Sequence, residues 1–118
     1  MHSSNYLLQN IKFNLSLEIE INIKANNFNL VCKGSKLDQE FLNQSANSYL
    51  ISVEPAVERF SYLEIECEIQ NKTQLTEGYE IIITFFQDKN LCGHIEKSGS
   101  LIADQLLRFN QLIWFPFV

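Results

Sequence analysis

From Ile11 to Lys24 every odd position is apolar (Ile11, Phe13, Leu15, Leu17, Ile19, Ile21, Ile23). Every even position is polar (Lys12, Asn14, Ser16, Glu18, Glu20, Asn22, Lys24). Successive side chains of a strand point to opposite faces, so a period of two predicts a ribbon with one dry side and one wet side. A helix would spread the same residues around its circumference and leave no apolar stripe. Fully extended, the stretch would span roughly 46 Å, well beyond an ordinary strand. A bend or bulge inside it, or a strand serving two sheets, is therefore expected.

The rest of the chain repeats the pattern in shorter pieces. Ala25-Asn26-Asn27 is a turn signal, after which Phe28–Lys33 reads as the returning strand of a hairpin, ended by Gly34. Ser35–Gln44 is the one stretch with helical features. Ser35 is placed to cap it with Asp38 three residues on, and Leu37 and Phe41 fall on one face. An irregular polar crossover is the alternative. Tyr49–Val53 reads as a strand closed by Glu54-Pro55, because proline cannot donate to a ladder. Phe60–Gln70 alternates cleanly, with Leu63, Ile65, Cys67 and Ile69 against Glu64, Glu66, Glu68 and Gln70. Tyr79–Phe86 becomes apolar on both faces, which predicts a central strand covered on both sides. Asp88-Lys89-Asn90 turns the chain into a strand over Leu91–Glu96, and Lys97–Gly99 interrupts. A short strand at Ser100–Ala103, a loop at Asp104–Asn110 and a final strand from Gln111 towards Phe117 complete the chain. Residues 1–9 read as a loosely ordered lead-in, with Tyr6–Leu8 pinned to the core.

Seven to eight strands with at most one short helix predict an all-β protein, an antiparallel two-layer sandwich formed as a single domain over residues 1–118. A parallel sheet would need a helix between successive strands, and none is predicted there.

Composition narrows the function classes. With 46% hydrophobic residues and nine Phe, the chain has the material for a real core. A net charge of −5, with nine scattered Lys and Arg, argues against nucleic-acid binding, which needs clustered cations. No apolar run approaches the ~20 residues of a membrane helix, and the first residues show no export signal. Cys32, Cys67 and Cys92 are odd in number and widely spaced, unlike a disulfide framework or a zinc ribbon. A soluble, acidic, cytoplasmic protein with reduced thiols is the expectation. The sequons at Asn14, Asn43 and Asn71 carry little weight without an export signal.

Three spots invite chemistry. Cys92 and His94 are two apart on a predicted strand, so both side chains would share a face and reach one Zn²⁺ or act as nucleophile and base. No third partner is evident, and a hairpin-edge Cys with a surface His is the plainer reading. Glu64, Glu66 and Glu68 share one strand face, either as a hard-cation site or as a solvated face opposite Lys-bearing neighbours. Like charges face to face destabilise a sheet, so this strand is expected not to lie against Glu18 and Glu20. The C-terminus, Leu112–Val118, is almost wholly apolar. Trp114, Phe115 and Phe117 are either layered into the core or form a patch that binds a partner.

From Tyr62 onward the order of features resembles the FxLYD domain family, a small immunoglobulin-like β-sandwich module. The residues that carry the resemblance are Ile65-Glu66-Cys67-Glu68-Ile69-Gln70-Asn71, then Thr84-Phe85-Phe86-Gln87-Asp88-Lys89-Asn90-Leu91-Cys92-Gly93, and lastly Leu112-Ile113-Trp114-Phe115. They follow the family's order of a strand ending in Asn, a strand ending near Asp, a tight turn into a Gly-containing strand, and a closing aromatic strand. The resemblance covers residues 62–117. It implies an immunoglobulin-like sandwich without enzymatic activity.

The expected function is a non-catalytic interaction module that binds a protein partner or itself as a homodimer, with no cofactor, no metal, no nucleic acid and no membrane. Its candidate partner-binding residues are Trp114, Phe115 and Phe117. Two alternatives stand beside it. One is a carrier with an apolar ligand in an aromatic-lined pocket, and the other an enzyme built on Cys92 and His94.

Overall fold

A computed structural model describes residues 2–9, 11–12, 14–25, 27–34, 38–39, 42–45, 48–53 and 62–114. Among these the structure is all β, with no helix. The strands are β1 (His2–Leu7), β2 (Leu17–Lys24), β3 (Phe28–Gly34), β4 (Asp38–Gln39), β5 (Leu42–Ser45), β6 (Ser48–Val53), β7 (Tyr62–Gln70), β8 (Glu77–Gln87), β9 (Asn90–Leu101) and β10 (Leu106–Trp114). They form two open sheets of five strands, ordered β1-β10-β7-β3-β4 and β5-β6-β2-β8-β9. The strands beyond the seven to eight expected are short edge pieces.

Alternation decides which face is dry. On β2, Leu17, Ile19, Ile21 and Ile23 are fully buried; on β7, Leu63, Ile65, Cys67 and Ile69 point inward; β8 adds Ile81, Ile83 and Phe85. With Phe109 and Ile113 of β10 they make one core shared by both sheets. Burial of each such aliphatic side chain contributes about 1.5–3 kcal/mol. Tyr6 of β1 lies flat on Phe85 of the opposite sheet, with centroids 5.7 Å apart and planes 7° from parallel.

The long alternating stretch bends, as its length requires. Its ladder begins only at Leu17, and the chain turns at Asn14–Leu15, where the Leu15 amide donates to the Lys12 carbonyl at 3.4 Å. Beyond Glu18, paired with Phe86, β8 itself is about to turn, so on that flank nothing among the described residues extends β2.

Four expectations are corrected. Phe28–Gly34 does not return beside β2 as a hairpin; it crosses to the other sheet and pairs with β7 and β4. Both flanks of β2 are already taken by β6 and β8. The helix expected over Ser35–Gln44 is replaced, at its described residues, by β4 against β3 and β5 against β6. A helix this short is marginal alone, whereas two unsatisfied sheet edges offer it backbone partners. The lead-in contains β1, which runs parallel to β10 from His2–Phe109 to Leu7–Trp114. Finally, β9 runs through Lys97–Gly99 without interruption. Tyr79, opposite Gly99, packs its ring where a Cβ would sit, 2.8 Å from the phenol oxygen.

β8 is an inner strand of its sheet, between β2 and the edge strand β9, and its outward Ile82 and Phe86 are half-buried rather than covered. The β8–β9 turn holds Asp88 and Lys89 at φ 49° and 65°, the left-handed pair that a two-residue hairpin requires.

Candidate functional site

Trp114 ends β10 on the outer face of its sheet and stays 41% exposed. Three neighbours hold it. Tyr62, opposite in register on β7, packs at a ring-centroid distance of 5.0 Å and 41° tilt. The indole Nε1–H donates to Asn5 Oδ1 at 3.0 Å. Leu7 lies beside it on β1 and is 51% exposed. The result is an ordered apolar corner rather than a core contribution: Ile113 turns inward and is fully buried, while Trp114 turns out. Phe115 and Phe117 lie outside the described residues. Asn5 and Leu7 carried no signal of their own, because a polar N-terminal stretch says nothing about a parallel partner more than a hundred residues away.

The outer face next to this corner bears Glu64, Glu66 and Glu68, and their strand lies between β10 and β3, away from Glu18 and Glu20. The expected separation of the two acidic strands is therefore present. Glu68 accepts from the Arg108 Nε–H at 2.9 Å across the ladder, and Lys33 stands opposite Glu64 in register. This is the solvated-face reading, with a cation supplied by the neighbouring strand β10. Among the described residues no three His, Cys, Asp or Glu side chains group as a metal site.

Cys92 and His94 do not share a face. A bulge shifts the register of β9 between the partners of Phe85 and Phe86, so Cys92 packs against the core while His94 is exposed, 3.5 Å from Glu96. The expectation that they share a face fails for that reason: one extra residue reverses the alternation. The Cys92 thiol, 3.9 Å from Gln87 Oε1, borders an open cleft of about 310 Å³ that also touches Lys12 and Asn90. Gln87 is 4% exposed and fully engaged. Its Oε1 accepts the Lys12 amide at 2.8 Å, and its Nε2 donates to the carbonyls of Lys12 and Leu15 at 2.7 and 3.2 Å. The side chain does for the Lys12–Leu15 turn what a neighbouring strand would do. The buried Cys67 thiol is pushed up to about 12 by desolvation, with a smaller push from the Glu68 carboxylate. It is a core side chain rather than a nucleophile.

At the opposite end Asn71 is 2% exposed. Its Nδ2 donates to the carbonyls of Leu75 (2.6 Å) and Leu101 (2.9 Å), and its Oδ1 accepts from the amide and hydroxyl of Thr73. The sequon here is a structural staple, with no room for a glycan on the folded chain. Among the described residues no helix is long and apolar enough to cross a membrane. No protein-family model, curated protein or solved structure matches the chain.

Proposed function

We propose that the chain is a non-catalytic interaction module of the immunoglobulin-like sandwich type, which engages a protein partner through the corner formed by Leu7, Tyr62 and Trp114. The observation that carries this reading is the exposure of Trp114 in a fixed orientation. An indole already held by Asn5 and Tyr62 loses little freedom on binding, and ordered aromatics of this kind are the usual anchors of protein interfaces.

Strand neighbours support the immunoglobulin-like reading. The order β5-β6-β2 corresponds to strands D, E and B of that fold, and β10-β7-β3-β4 to G, F, C and C′. The β8–β9 hairpin is the departure: it lies between F and G in the chain and occupies the place beside B.

The test is native mass spectrometry of protein purified gently from its own host, alongside Trp114→Ser and Leu7→Ser. A bound polypeptide present in the parent and lost from both variants is the expected result. A partner retained by both variants, while they stay folded, would remove the corner from consideration.

A further inference from the structure

We propose that the open edge of β9 is a self-association surface, on which a second copy of this chain pairs antiparallel about a twofold axis at Ile95. This goes beyond the Trp114 corner, which lies on the other sheet.

β9 pairs with β8 along its whole length, from Glu77–Leu101 to Gln87–Asn90, and among the described residues no strand lies on its other side. In an antiparallel ladder alternate residues turn their N–H and C=O groups away from the partner, so this edge presents a row of donors and acceptors. Natural edges are blunted by charges and bulges. Here the bulge at Leu91–Cys92 lies towards one end, leaving Gly93–Lys97 regular. The inward charge of Lys97 is drawn over the Phe109 ring, 4.9 Å from its centroid, instead of standing in the edge.

Self-pairing restricts the register. A twofold axis normal to the sheet must place outward residues opposite outward residues, so it passes through a residue position and not between two. Centred on Glu96 it sets two carboxylates face to face; centred on Lys97, two ammonium groups. Centred on His94 it sets two imidazoles opposite each other and runs Glu96 into the bulge. Centred on Ser98 it matches no charges. Centred on Ile95 it pairs each Glu96 with the partner's His94, stacks Ile95 against its copy, and sets Lys97 opposite the side-chain-free Gly93. Both His94 and Glu96 are exposed, and their 3.5 Å contact within the chain would be exchanged for the two contacts across the axis.

Sedimentation velocity over a concentration series should show a dimer that Glu96→Lys weakens roughly tenfold, because the imidazole N–H then faces a lysine instead of an accepting carboxylate at two symmetric sites, and that adding His94→Glu restores. In a Cys92→Ser background, Ile95→Cys should form an intermolecular disulfide under mild oxidation, since directly opposed residues come within reach. Ser98→Cys should not, because the two thiols would lie about 20 Å apart. A monomer at every concentration overturns the proposal, as does cross-linking of Ser98→Cys as readily as Ile95→Cys. Should Trp114→Ser dissolve the dimer and Glu96→Lys leave it intact, the β9 surface is ruled out while the Trp114 reading stands; the reverse pattern selects β9.

Discussion

The side-chain amide of Asn71 donates to the carbonyl of Leu101 at 2.9 Å, joining the turn after β7 to the end of β9, 30 residues on in sequence. The same nitrogen reaches the Leu75 carbonyl, and the Asn71 backbone bonds to Gln105 and Asp104. Asn71→Ala should therefore leave the Leu101 carbonyl and the Thr73 amide without their partner, while the Leu75 carbonyl keeps the Thr73 hydroxyl, at a cost of about 3 kcal/mol. For a chain of this size the melting temperature should fall by on the order of 10 °C, measured by calorimetry. Asn71→Asp should be at least as damaging at neutral pH, because it points a carboxylate at those carbonyls.

Gly93 is required by what covers it. A Cβ there would meet the Tyr6 hydroxyl at 2.7 Å, Leu8 at 3.0 Å and the Phe85 ring at 3.2 Å. Gly93→Ala should cost about 1–3 kcal/mol and disturb the Tyr6–Phe85 stack. Combining it with Tyr6→Leu, which removes the phenol oxygen, should cost less than the sum of the two single changes. Additive losses in denaturant titrations would show that Tyr6 is not what Gly93 accommodates.

Cys67 links stability to alkaline pH. Its thiol titrates near 9.0 when free and near 12 when folded. Below pH 9 both states are protonated and the contribution is fully present. Between these values only the unfolded chain loses its proton, so stability declines with rising pH by about 1.4 kcal/mol per unit. Cys67→Ala, though less stable throughout, should lack this component of the slope. At neutral pH iodoacetamide should modify Cys67 only as fast as the chain unfolds.

Gln87→Ala should free the Lys12–Leu15 turn without melting β2. Three hydrogen bonds are lost, but water can enter the adjoining cleft, so a loss of about 1–3 kcal/mol is expected. Hydrogen exchange should accelerate at the Lys12 amide, while the ladder of Ile19 and Ile21 keeps its protection. Equal acceleration at both would show that the turn and strand unfold together.

Much of the fold was legible because alternation is written into neighbouring residues. Leu63–Ile69 and Leu17–Ile23 announced their dry faces, and Asp88-Lys89 announced its turn. Trp114 was legible as a candidate, but not as exposed, because an unbroken apolar run does not say which member turns outward. Ser35–Gln44 misled in the other direction: a cap and one apolar pair suggest a helix, yet the chain there borders two sheet edges. The Cys92–His94 pairing was lost to one bulge, which no residue in that hairpin signals.

The sequence by itself determined that β2, β7 and β8 are strands and which side of each is dry, since alternation depends on contacts one and two residues away along the backbone. The tertiary structure alone decided who neighbours whom. β1 joins β10 across the length of the chain, β3 leaves β2 for β7, and β9 is left at an edge. Many amphipathic strands are interchangeable as local patterns, and only the packing of all of them around one core makes a single arrangement lowest in free energy.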